Sequence, residues 1–99
     1  MFLITFEVTP KPSHARYGEA DGAYASCWVN EPTAAIAESV AREGIGDAEW
    51  DVVELDEVRE VVREEYVEQP EGLELYDQAS LDGLVITFHT WPVGGDQGA

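Results

Sequence analysis

The stretch LVITFHTWP, residues 84–92, constrains the fold more than any other part of the chain. Apolar side chains fall on both sides of its two-residue period: Leu84, Ile86 and Phe88 on one side, and Val85 and Trp91 on the other. A half-buried strand normally carries polar residues on its second face. The stretch therefore predicts a strand whose first face packs on helices and whose second face, which includes His89, meets another surface.

Two further strands are predicted near the N terminus. Residues 2–8 alternate apolar and polar side chains with a period of two, and residues 23–29 place Tyr24 and Trp28 on one side of a second strand. Between them, the prolines, glycines and polar residues of positions 9–22 predict a long surface loop. A loop of that length is unusual in a small domain and is often functional.

Residues 30–46 carry the strongest helix pattern of the chain. Asn30 is a candidate N-cap, Pro32 suits the first turn, and Gly44 suits a left-handed C-terminal position. One face of this helix is apolar and mostly small: Ile36, Ala37, Val40 and Ala41. Small side chains on that face would let the helix approach a sheet closely.

Residues 50–66 fit two patterns. Their valine content favours a long strand that starts near Trp50 and bends near Asp56. In their second half the apolar spacing fits a helical stripe equally well, so residues 56–66 stay open between strand and helix.

A short helix over residues 70–83, opened by Pro70 and ended by Gly83, precedes the last strand. The predicted element order is strand, strand, helix, strand, helix, strand (ββαβαβ). Its economical packing is an α+β two-layer sandwich, with a four-stranded, mainly antiparallel sheet and two helices on one face. This architecture resembles the ferredoxin-like plaits in element content, in a non-standard element order, and the resemblance implies no function. We predict one domain over residues 1–93 and a flexible tail over residues 94–99.

Charge is strongly unbalanced, with 21 acidic side chains against 5 basic ones and a formal net charge of −16. Such a surface repels nucleic-acid phosphate and anionic lipid and favours a basic protein partner. The acids concentrate in the middle of the chain, and the candidate partner-binding carboxylates are Glu54, Asp56, Glu57, Glu60, Glu64 and Glu65. The same acid excess, with a single lysine, is also typical of adaptation to high salt.

The residues that catalysis, cofactor binding or metal binding require are isolated or absent in the sequence. Cys27 has no second cysteine to pair with, which indicates a reducing compartment, and the apolar start of the chain lacks the features of a signal peptide or a membrane span. His14 and His89 show no metal-binding spacing, and no P-loop, dinucleotide-binding or serine-hydrolase motif occurs. We therefore expect a cytoplasmic protein that is not an enzyme and has no catalytic residue, cofactor or metal.

The face of the sheet that no helix covers is the second candidate surface. Tyr24, Trp28, His89 and Trp91 would lie there, and aromatic residues are enriched at interfaces. Three occupants stay open: a second copy of the chain, which would make a homodimer, another partner, or the loop at residues 9–22 folded back over the face.

Two functional hypotheses follow from these features. The first is a small, acidic, non-catalytic interaction domain that binds a basic surface, as an inhibitor, an immunity protein or a nucleic-acid mimic would. The alternative is a homodimeric α+β domain that binds a small molecule or performs a simple reaction, with its acidity reflecting high salt. We prefer the first because the residues that chemistry needs are isolated.

Overall fold

The structure, a computed structural model, describes residues 1–15, 17–18 and 20–92, with the side chains of residues 20, 91 and 92 outside the description. The predicted tail at residues 94–99 also lies outside the described residues. The elements in chain order are β1 (Phe2–Pro10), β2 (Ala20–Val29), α1 (Ala34–Asp47), β3 (Trp50–Glu60), a 3₁₀ helix (Arg63–Tyr66), α2 (Pro70–Asp82) and β4 (Leu84–Pro92). No helix in the described part of the chain is long and apolar enough to cross a membrane.

The strands form one open antiparallel sheet in the order β3-β1-β2-β4, so that β1 and β2 are central and β3 and β4 are its edges. An α+β fold with a four-stranded antiparallel sheet and two helices is therefore confirmed. Residues 56–66, for which the sequence fits a strand or a helix, contain both: β3 extends to Glu60, and the 3₁₀ helix begins at Arg63. Two irregularities in the register of the described strands β1 and β3 leave Asp56 and Val53 without a partner on β1. The irregularity at Asp56 lies where the sequence predicts a bend.

α1 packs on the first face of the sheet. The side chains at the centre of this face are fully buried: Ile4, Phe6 and Val8 of β1, and Ala23, Ala25, Cys27 and Val29 of β2. Gly44 of α1 lies directly over β4, because a Cβ at this position would come within 2.6 Å of Leu84 Cδ2. A helix whose sheet-facing residues are small can approach this closely, as its sequence predicts.

Both predicted ends of α1 are wrong. Thr33 is the N-cap, and its Oγ1 accepts a hydrogen bond from the helix backbone at 3.3 Å. Asn30 lies beside the end of α2, where its backbone N–H donates to Gly83 O at 2.9 Å. At the other end α1 continues past Gly44, and left-handed backbone occurs instead at Glu49, with a φ of 68°.

Aromatic side chains complete the core on the first face. Trp50 of β3 stacks on Phe88 of β4 with ring centroids 5.0 Å apart, and His14 contacts Trp50 edge-on at 4.7 Å. Ala23 and Ala25 of β2 are small enough to leave space for these rings. His14 belongs to the predicted long loop, so this part of the loop lies at the first face.

α2 packs on the second face of the sheet, so the predicted placement of both helices on one face is wrong. A separate buried cluster contains Trp28, Val61, Tyr66 and Ala79, with Leu3, Leu73, Tyr76 and Val85 among the side chains packed against it. Trp28 and Val85 point away from α1, because neighbouring residues of a strand point to opposite faces. The ferredoxin-like arrangement is not confirmed for the same reason.

The position of α2 explains the apolar residues on both sides of β4. Leu84, Ile86 and Phe88 pack toward α1, whereas Val85 packs toward α2. Gly83 ends α2 in the left-handed conformation that the sequence predicts, with a φ of 89°, and the chain enters β4 at the next residue.

Candidate functional site

Beyond the part that α2 covers, no other helix or strand of the described chain packs on the second face of the sheet. Its side chains form rows across β3, β1, β2 and β4, and the covered row is Leu3, Trp28 and Val85, with the exposed Arg59 at its β3 end. The next two rows belong to neither buried cluster: Glu57, Thr5, Ser26 and Thr87, then Glu54, Glu7, Tyr24 and His89. We call these eight residues the open half-face. Its composition is polar, with carboxylates at its β3 side and an aromatic and an imidazole at its β4 side.

Three carboxylates stand together on the open half-face. Glu54 of β3 lies directly opposite Glu7 of β1, and Glu57 is opposite Thr5, one row away. Like charges directly opposite each other on neighbouring strands destabilise a sheet. The fold thus tolerates a local repulsion that a cation from outside would relieve.

The predicted aromatic surface is only partly present. Tyr24, which is 45% exposed, and His89 lie directly opposite each other on β2 and β4. Trp28 is only 8% exposed and lies in the cluster with α2, so its predicted place on an uncovered surface is wrong. The backbone of Trp91 pairs with Gly22, and its side chain lies outside the description.

The other predicted carboxylates lie along β3 and in the 3₁₀ helix. All four are exposed: Asp56, Glu60, Glu64 and Glu65. Glu65 has an internal role, because it accepts hydrogen bonds from the Val62 N–H at 2.9 Å and from Arg59 Nη1 at 2.8 Å. These two bonds lower the pKa of Glu65. Glu65 therefore holds the start of the 3₁₀ helix, although its side chain is exposed like those of Asp56, Glu60 and Glu64.

The basic side chains that the structure describes all form ion pairs with acids of the same chain. The pairs are Lys11–Asp51, Arg42–Glu38, Arg59–Glu65 and Arg63–Asp77, with N–O distances between 2.8 and 3.8 Å. Arg63 binds Asp77 through two hydrogen bonds, 2.8 and 3.0 Å long, which join the 3₁₀ helix to α2 and lower the pKa of Asp77. Among these described pairs, none includes a carboxylate of the open half-face.

The reactive side chains Cys27 and Ser80 are buried or hydrogen-bonded within the described chain. Cys27 is buried in the core under α1, and this burial raises the pKa of its thiol to about 12, so the nucleophilic thiolate is scarce at neutral pH. Ser80 Oγ donates a hydrogen bond to Tyr76 O at 3.1 Å within α2. No three His, Cys, Asp or Glu side chains among the described residues are arranged to hold a metal ion.

A groove of about 540 Å³ lies where the start of α2 meets the 3₁₀ helix and β2. Trp28 and Tyr66 line its base, and the indole Nε1–H donates to Tyr66 Oη at 3.2 Å. Exposed residues of α2, including Pro70 and Glu71, line its sides. Sequence analysis missed this groove, because its two aromatic residues are 38 positions apart and Tyr66 fits either a strand or a helical stripe.

Comparison with known proteins gives no family for this chain. A scan of protein-family models, a search of curated proteins and a search of solved structures each found no match. The chain's own residues and geometry are therefore the basis for inferring its function.

Proposed function

We propose that the protein is a small, acidic interaction domain, without catalysis of its own, that binds a basic protein surface through the open half-face and the adjoining β3 edge. One observation carries the proposal: Glu7 and Glu54 lie directly opposite each other with Glu57 one row away, and no ion pair between described residues includes any of the three. A lysine or arginine of a partner would supply the missing charge. Cytoplasmic location, as expected from the single cysteine, belongs to the same proposal.

The shape and chemistry of the open half-face suit a protein partner. A sheet surface is broad and shallow, and Tyr24 adds an exposed aromatic ring beside the carboxylates. Tyrosine contributes strongly to binding at protein interfaces, and opposite charges accelerate the encounter and disfavour wrong partners. The net charge of −16 repels nucleic acid and anionic lipid, so an inhibitor or immunity protein that occludes a basic site is the class we favour.

A charge-matched pair of variants tests the location of the binding surface. In the first variant Glu7, Glu54 and Glu57 become glutamine; in the control Glu31, Glu43 and Glu68, which lie outside the open half-face, become glutamine. Both variants lose the same net charge, so a difference between them reports the site and not general electrostatics. We expect basic proteins captured from host lysate at low salt to bind the control like the wild type and to bind the first variant more weakly. Equal binding by the two variants, or no salt-sensitive capture at all, would contradict the proposal.

The groove beside α2 favours a second candidate function, the binding of a small molecule. Its base carries two aromatic rings, and its volume of about 540 Å³ is within the usual range for ligand sites. A fragment screen followed by two-dimensional amide and indole NMR tests this. Binding in the groove should shift the Trp28 indole N–H and the Gly72 and Leu75 amides together. Shifts confined to other parts of the chain, or none, would reject this candidate.

A further inference from the structure

The two edge strands of the sheet differ sharply in how they are protected. β3 carries five acids and Arg59, and its register with β1 contains two irregularities. β4 reads LVITFHTWP, with no charged side chain and no irregularity in its register with β2 from Ala23 to Val29. Charges and bulges are the devices by which proteins prevent edge strands from pairing with other chains. β3 has both along its length, whereas β4 has no acidic or basic residue and its pairing with β2 is irregular only at the far end, between Ala20 and Gly22 of β2.

The outer edge of β4 also leaves apolar surface incompletely buried. On the first face, the residues of β1 and β2 under α1 are fully buried, whereas Leu84, Ile86 and Phe88 of β4 are only partly buried. No backbone hydrogen bond joins this edge to another element in the described part of the chain. A long neutral edge strand with apolar flanks is the kind of edge that pairs with another strand.

We propose that β4 pairs antiparallel with β4 of a second copy of this chain, which joins the two sheets into one sheet of eight strands. A two-fold axis at Thr87 would set Ile86 opposite Phe88 of the copy and Val85 opposite His89. Residues related in this way lie on the same face, so the apolar first faces of the two sheets continue into each other.

Charge favours a second copy over a foreign strand at this edge. A basic partner is attracted to the acids, which on the sheet belong mostly to β3, with Glu7 on β1 and Asp21 at the start of β2, whereas β4 carries no acid. Two copies that meet at β4 keep their β3 edges outermost, each about 14 Å from its own β4 at three strand spacings. That distance exceeds the screening length of about 8 Å at physiological ionic strength. A symmetric pair also removes both free β4 edges at once, whereas an added peptide leaves a new one.

The dimer proposal and the proposed function respond oppositely to salt. Salt screens the repulsion between two chains of net charge −16 and should strengthen the dimer, but it should weaken binding to a basic partner. The variant with glutamine at positions 7, 54 and 57 should dimerise at least as well as the wild type. The experiments can therefore distinguish failure of the dimer proposal from failure of the proposed function.

Sedimentation equilibrium of the full chain tests the dimer, with two lysine variants that differ only in the edge they modify. We expect a species of twice the 10.9 kDa chain mass, with an association constant that rises with NaCl. Thr87→Lys places two lysines opposite each other at the axis and should weaken association by a factor on the order of ten, whereas Val53→Lys on exposed β3 should not. Thr87→Cys should form an intermolecular disulfide on oxidation, and Val53→Cys should not. A wild type that stays monomeric at high concentration in 1 M NaCl, or equal association of both lysine variants, would overturn the proposal.

Discussion

Replacement of Gly72 by alanine should destabilise the protein although alanine is the better helix former. A Cβ at this position of α2 would lie 2.6 Å from Tyr66 Cδ1 and 3.1 Å from Cε1. The ring cannot move aside easily, because Tyr66 is 7% exposed and its Oη accepts the hydrogen bond from Trp28. Tyr76 lies beside it, with ring centroids 6.0 Å apart. The added methyl group must therefore displace α2 or break that hydrogen bond.

The expected magnitude follows from two opposing effects. Glycine in a helix is less favourable than alanine by about 0.5–1 kcal/mol, and overpacking of a filled site costs about 1–3 kcal/mol. We expect Gly72→Ala to lower the free energy of unfolding by about 1 kcal/mol. Gly46 is the matched control, because it lies in α1 and a Cβ there meets nothing within 4 Å. Gly46→Ala should raise the free energy of unfolding by about 0.5–1 kcal/mol.

Urea unfolding of the two alanine variants, followed by far-UV circular dichroism, measures this difference directly. Both variants gain the same methyl group in a helix, so helix propensity alone would change their free energies of unfolding in the same direction. Opposite changes therefore report the contact with Tyr66. The Trp28 indole N–H in NMR spectra should shift in Gly72→Ala and stay unchanged in Gly46→Ala. If the two variants have the same free energy of unfolding, then the Tyr66 ring can move aside and α2 packs loosely on the second face.

Three further outcomes are expected. The Cys27 thiol, with its pKa raised to about 12 by burial, should react with a thiol reagent at pH 8 only as fast as the protein unfolds, and rapid labelling of the native chain would contradict its burial. Tyr66→Phe leaves the buried Trp28 Nε1–H without its acceptor and should reduce the unfolding free energy in urea by about 1–3 kcal/mol; an unchanged value would mean that water replaces the hydroxyl. The ion pair with Arg63 lowers the pKa of Asp77 below its unfolded value, so its stabilisation is present at neutral pH and is lost as pH falls through that lowered pKa. Thermal unfolding of Asp77→Asn from pH 7 to pH 2 should show a weaker acid dependence than the wild type, and identical curves would refute this assignment.

Local patterns in the sequence predict much of the fold, because strand periodicity and helix stop signals depend on neighbouring residues. The alternation in residues 2–8, the strand that starts at Trp50 and the left-handed end of α2 at Gly83 all depend on such local signals. The N-cap is different, because Asn30 and Thr33 are both suitable cap residues by type, and the structure assigns the cap to Thr33.

The candidate site depends on long-range packing, which explains why sequence reasoning found only part of it. An apolar row on the second face indicates that a helix packs there. Leu3, Trp28 and Val85 form such a row, but only the strand register shows that they are neighbours. Periodicity gives the face of each strand but not the order of the strands, so the sequence alone does not predict this row. The same register brings Glu7 opposite Glu54, which no spacing along the chain predicts.

Salt dependence of folding separates adaptation to high salt from the use of acids in binding. The screening length falls from about 10 Å at 0.1 M to about 3 Å at 1 M, so concentrated salt relieves repulsion even between neighbouring strands. If the open half-face is a local source of repulsion, thermal unfolding of the wild type should gain more from 1 M NaCl than the variant with glutamine in place of Glu7, Glu54 and Glu57. If the acidity serves life in high salt, the wild type should need salt to fold, and those three replacements should rescue it only slightly because the remaining acids still repel one another. Equal salt responses in a wild type that folds without salt would exclude both the local repulsion at these three positions and the salt requirement.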